Sequence, residues 1–162
     1  MLSRTNAAKE AMDQAGREVD AKRSAIAREL ERRFQLLTEM LNEHDWECQK
    51  PKGQEVESYI STTFKAVFDN VPGQLSWRGL TDACRRWQEQ APDIQYNIHS
   101  AQTHVDMEAG EAVVYLEVTI SGVGNVTLGG LSEAQWKRKC DGKWMWVHYM
   151  GIRGMGHNGG FV

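Results

Sequence analysis

No stretch of this chain is long and apolar. None approaches the ~20 residues a membrane-crossing helix requires, so no membrane partner is expected. Cysteine is scarce too: Cys48, Cys84 and Cys140 are three, an odd number, at spacings that match no zinc or redox signature. That pattern reads as reduced thiols in a cytoplasmic protein. The opening residues MLSRTNAAKE lack the apolar core of a secretory signal, which points to the same compartment. Neither charge sign dominates, with a net charge of −3 and a pI near 6.0. A general nucleic-acid binder shows a strongly basic face. Here the basic clusters at 28–33 and 137–139 stand beside acids and read as solvated faces, so no nucleic-acid partner is expected.

Metal-ligand spacing is missing as well. His99 and His104 lie an odd number of residues apart on a strand-like run and would fall on opposite faces, so neither a metal nor a cofactor is expected. The chain has no GK[ST], and neither GVGNVTLGG (122–130) nor GMGHNGG (154–160) opens a helix after a strand. These glycine-rich stretches read as a hairpin tip and a tail rather than phosphate-cradling loops.

What is present describes a single α+β domain. At 162 residues the chain is long enough to bury a core. Ile26, Leu30, Phe34, Leu37 and Leu41 recur at helical spacing and define a long amphipathic helix from Ser24 to about Asn42. Residues 1–23, charged and poor in large apolar groups, form a helical or disordered extension. Pro51-Lys52-Gly53 reads as a loop, Tyr59–Thr63 as a short strand, and Val71-Pro72-Gly73 as a turn. Leu80–Gln90 is a second helix, which Pro92 prevents from continuing. Beyond Pro92 the period becomes two, with strands at 94–105, 112–121, 131–140 and 144–153. The domain proper is therefore 24–153, followed by a flexible tail at 154–162.

The final pair of strands flanks Asp141-Gly142, a dipeptide suited to a tight turn. Alternation places Trp136 on one side of the first strand, and Trp144, Trp146, His148, Met150 and Ile152 on one side of the second. Both faces of the second strand are bulky, so an antiparallel sheet curved around an enclosed interior is expected.

Three segments carry a resemblance to a known family. Asn42–Glu47 (NEHDWE) is similar to the end of its first helix, Pro92–Asp106 to its first long strand, and Trp136–Arg153 to its closing hairpin. The order of elements resembles the nuclear transport factor 2-like superfamily, which includes the SnoaL-like polyketide cyclases, ketosteroid isomerase and scytalone dehydratase. The likeness spans roughly residues 25–153 and implies a cystatin-like cone, with a long N-terminal helix and shorter helices packed on a curved antiparallel sheet around a central pocket. It also implies a homodimer through the outer sheet face, with Lys137, Lys139, Met145, Val147 and Tyr149 as contacts. The scytalone dehydratase active site does not carry over. Ile98 stands at one histidine position and Ser121 or Gly122 at the other, and Leu41-Asn42 replaces its Tyr-Asp pair. Glu133 is the nearest counterpart of the isomerase's strand acid.

The resemblance then implies a cofactor-independent isomerase, dehydratase or cyclase acting on a hydrophobic polyketide- or terpenoid-like molecule. The alternative is a non-catalytic module that binds a hydrophobic ligand or a second protein. His148 is the candidate acid/base, because an imidazole in an apolar pocket exchanges protons near neutral pH. Tyr59 and Asn42 are candidate partners for a ligand carbonyl. Trp136, Met150, Ile152, Ile98 and Ile120 are expected to line the pocket, and Arg153 to meet a carboxylate or enolate.

Overall fold

In the computed structural model the backbone is described over residues 2–153 and the side chains over 6–152. The glycine-rich tail expected at 154–162 lies outside them. Helix α1 runs without a break from Leu2 to Asn42, so most of the N-terminal extension is helical. Over residues 6–25 every side chain is exposed, and the helix meets the domain only where its apolar stripe begins. Leu30 and Phe34 then bury at 0% and 3% exposure. No helix among the described residues is long and apolar enough to cross a membrane.

The NEHDWE segment owes its form to Asp45. The chain leaves α1 with His44 at φ 57° and turns again at Cys48, φ 52°. The buried Asp45 carboxylate accepts the backbone N–H groups of Gln49 and Lys50, each at 2.9 Å. A Cβ on Gly53 would lie 2.2 Å from that carboxylate, so only glycine fits. The segment read as a loop is therefore a helix, α2 (Pro51–Ser58), opened by proline in the first turn, where its missing N–H is not needed.

Strand β1 (Ile60–Phe68) is longer than its expected counterpart, and β2 (Val71–Leu75) replaces the expected turn. Proline at position 72 is tolerated because β2 is an edge strand. Helix α3 (Trp77–Gln90) starts at Ser76, whose Oγ accepts the Gly79 N–H at 3.1 Å. The strands β3 (Gln95–Asp106), β4 (Glu111–Val123), β5 (Val126–Arg138) and β6 (Trp144–Arg153) complete a six-stranded sheet ordered β2-β1-β6-β5-β4-β3. The sheet is curved, as expected, but open, and mixed rather than antiparallel, because β1 runs parallel to β6. These first and last strands of the domain core are far apart in sequence, and alternation within a strand says nothing about the direction of its neighbour.

One irregularity in β6 decides what faces inward. Trp136 pairs with Trp146, whereas Gln135 pairs with His148, so Val147 is an extra residue, a β-bulge. Before the bulge Trp144 and Trp146 point to the core. After it Tyr149 and Gly151 take the inner face, while Met150 and Ile152 are 36% and 51% exposed on the outer one.

Candidate functional site

The inner face of the sheet divides into a packed end and a hollow end. At the packed end Trp136 and Trp146 stack with ring centroids 6.1 Å apart, and Phe34 meets both edge-on at 5.7 and 5.0 Å. Tyr59, Phe64, Val114 and Ala134 fill the rest. At the hollow end lies a cavity of about 430 Å³. Phe34, Leu37, Thr38 and Leu41 of α1 form one wall, Trp77, Leu80, Thr81, Cys84 and Trp87 of α3 a second. The sheet contributes Tyr96, Leu116, Val118, Ile120, Leu128, Ser132, Trp146 and Tyr149, and Phe68 and Asp69 close one side. A space of this size, mostly apolar with a few polar groups, suits a small organic molecule.

The bulge corrects the reading of His148. It is absent from the lining, because Val147 turns its side chain to the outer face, where it sits in register with Gln135 and Lys65. Its Nδ1 is buried there without a partner. Met150 leaves the pocket for the same reason. Ile152 borders the cavity but is half exposed. Trp136, expected to touch a ligand, is 1% exposed in the packed end and absent from the lining. Ile98 packs on the core beside the cavity rather than on its wall. Ile120 does line it. Glu133 lies on the outer face, accepting from Gln135 Nε2 at 3.0 Å. The backbone of Arg153 pairs with Gly130 at the end of β6, and its side chain lies outside the described residues.

Tyr59 and Asn42 hold structure. The Tyr59 hydroxyl donates to the Arg33 carbonyl at 3.0 Å, its ring lies under the Arg33 guanidinium, and burial pushes its pKa up. Neither residue lines the cavity. The Asn42 amide clamps the end of α1 to β3, its Nδ2 donating to the Tyr96 carbonyl at 2.9 Å and its Oδ1 accepting the Tyr96 N–H at 2.8 Å.

Tyr96, Cys84, Tyr149 and Ser132 are polar groups of the cavity wall that the sequence reading does not assign to the pocket. Tyr149 donates to Ser132 Oγ at 2.6 Å, whereas the Tyr96 hydroxyl is buried with no partner in hydrogen-bonding geometry. The Cys84 thiol lies beside Tyr96. Tyr96 shares the inner-face parity of Ile94 and Ile98, a signal present in the sequence. Tyr149 gives no such signal, since only the bulge brings it inside.

Burial in this apolar wall disfavours charge on these groups. It pushes the Cys84 thiol from 9.0 up to about 12, the Tyr149 hydroxyl from 10.0 up to about 12, and the Tyr96 hydroxyl higher still. All three are protonated donors at neutral pH, not nucleophiles or bases. Their pKa values are raised on folding, so the stability they contribute is fully present below the unfolded values and is lost as pH rises toward the folded ones. The urea midpoint is thus expected to hold steady up to about pH 8.5 and to fall steadily above about pH 9. A midpoint unchanged at about pH 10.5 would show that these groups ionise freely in the folded chain.

No family model matches the sequence, and no curated protein matches it. Solved structures do. A nuclear transport factor 2-like protein of unknown function from Pseudomonas putida superposes with a TM-score of 0.65 at 9% identity, covering 86% of this chain and 94% of that one. Hexachlorocyclohexane dehydrochlorinase LinA-type3 from Novosphingobium barchaimii gives 0.66 at 13% identity, covering 86% and 92%. ActVI-ORFA from Streptomyces coelicolor gives 0.56 at 12% identity, covering 80% and 97%. At such identities the likeness is one of architecture, which does not fix an activity. With its long helix, its curved sheet and its hollow end, the chain has the cystatin-like fold of the nuclear transport factor 2-like superfamily.

Proposed function

We propose that this protein binds a small hydrophobic molecule in the hollow end of its sheet. The observation that carries the reading is the cavity itself, about 430 Å³ walled by Trp77, Trp87, Phe68, Leu116, Val118 and Ile120. A flat hydrocarbon of naphthalene size is expected to quench the emission of the tryptophans that line it. Val118→Trp, which fills the space from β4, is expected to abolish that quenching while the chain stays folded. Equal quenching in the two proteins would place the probe elsewhere and remove the reading.

A second reading is cofactor-independent turnover, an isomerisation, dehydration or cyclisation begun by proton transfer. With His148 on the outer face, its support is Asp69, the carboxylate among the described lining residues. Asp69 would take the α-proton of a ketone while a phenol donates to the enolate oxygen, and would then return a proton. Deuterium from D2O is expected to enter the methyl group of 2-acetylnaphthalene faster with the protein than in buffer, and at the buffer rate with Asp69→Asn. His148→Ala should leave the exchange unchanged. Exchange at the buffer rate with the unaltered protein removes turnover and leaves binding. The dehydrochlorinase of the same fold is compatible with either reading.

We also propose that the outer sheet face pairs with a second copy. Tyr115 and Leu131 are 50% and 61% exposed there, beside Met150 and Ile152 in neighbouring strands. Tyr149 does not belong to that surface, because the bulge turns it inward. Sedimentation should report a dimer at micromolar concentration and a monomer for Leu131→Arg, whereas a monomeric parent protein would remove the proposal.

A further inference from the structure

We propose that Tyr96 is the polar anchor of the cavity, and that the molecule bound there presents a carbonyl oxygen to its hydroxyl. The inference rests on the binding reading above and adds the chemical class of the ligand, a planar aromatic ketone or a close relative.

The hydroxyls of the cavity wall are otherwise spoken for. Thr38 donates to the Phe34 carbonyl at 2.9 Å and Thr81 to the Arg78 carbonyl at 3.1 Å, each within its own helix. Tyr149 and Ser132 satisfy one another. Tyr96 alone among these has a buried hydroxyl with no oxygen or nitrogen partner, and beside it only the Cys84 thiol, a weak acceptor. A buried donor left without an acceptor costs about 1–3 kcal/mol, and a bound acceptor restores that cost. Burial keeps the phenol protonated, so it acts as a donor and selects an acceptor.

The mount is rigid. Both backbone polar groups of Tyr96 are held by the Asn42 amide, which ties the strand to the end of α1. A donor fixed before the ligand arrives loses little freedom on binding, which favours affinity. Trp77, Trp87 and Phe68 on the same walls favour a flat ligand. Asn42 is thus a positioning residue, acting through Tyr96.

The test compares two probes of one shape on the full chain, 2-acetylnaphthalene and 2-isopropenylnaphthalene, which lacks the oxygen, by quenching of tryptophan emission. The ketone is expected to bind roughly 3–10-fold more tightly than the hydrocarbon, the range of one net hydrogen bond. In Tyr96→Phe the two should bind equally, the hydrocarbon as before, and Tm should not fall, because removing an unpartnered hydroxyl is neutral or stabilising. Asn42→Ala should reduce the ketone preference and spare the hydrocarbon. Equal binding to the unaltered protein, a preference that survives in Tyr96→Phe, or a variant that loses stability would each overturn the anchor. Hydrocarbon binding without a ketone preference overturns the anchor alone; binding of neither probe overturns the cavity reading with it.

Discussion

Replacing Trp146 by alanine is expected to cost about 3–5 kcal/mol, the range for deleting a buried indole. Trp146 is 1% exposed and is the hub of the aromatic core. Its ring meets Phe64 at 4.8 Å, Phe34 at 5.0 Å, Tyr149 at 5.4 Å and Trp77 at 6.3 Å between centroids, and stacks on Trp136. Its Nε1 donates to the His148 carbonyl at 3.0 Å, so the indole also fastens the strand on the far side of the bulge. Alanine would remove all of these contacts and open the packed end into the existing cavity, whose wall Trp146 forms. Such a site collapses poorly, which places the loss in the upper half of the range. Trp144 is the comparison. At 8% exposure near the start of β6, with the Arg138 guanidinium over its ring, its truncation should cost less. Urea unfolding of both variants settles the order. A loss under about 1 kcal/mol at Trp146 would mean the ring is not the hub its contacts describe.

The sequence carried the scaffold because its strongest signals are local. The stripe from Ile26 to Leu41 and the alternation after Pro92 depend only on spacing along the chain. So does the hairpin around Asp141-Gly142, although the connection is longer than two residues, running from Lys139 to Lys143. Signals failed where a neighbour decided the outcome. Pro72 reads as a turn unless β2 is known to be an edge, and Pro51 reads as a loop unless Asp45 is known to organise the turn before it. Both faces of β6 carry bulky groups, so alternation fits two registers equally well and cannot locate a bulge. For that reason the wall at Ile120 was legible, whereas His148 and Met150 were assigned to the wrong face.

Inserting a glycine between His148 and Tyr149 is the sharpest trial of that account. It leaves composition almost unchanged but shifts the strand by one residue, so each residue from Tyr149 to Ile152 exchanges faces. Tyr149 would swing outward, opposite Glu133, and lose Ser132, leaving that side chain buried at 7% exposure without its partner. Met150 would arrive at the site of Gly151, where Phe68 leaves 2.8 Å for even a Cβ. These costs fall together on one strand paired on both sides, with β1 and β5. The insertion is expected to destabilise by more than about 4 kcal/mol, seen as loss of the cooperative urea transition and of near-UV dichroism. Deleting Val147 is the comparison. His148 would still meet Gln135 and Tyr149 would still meet Ala134, so no side chain changes face and only the bulge and a half-buried side chain are lost, for about 1–2 kcal/mol. If the insertion folds as well as the deletion, the strand tolerates either register, and the inward placement of Tyr149 is not enforced by the pairing of β6.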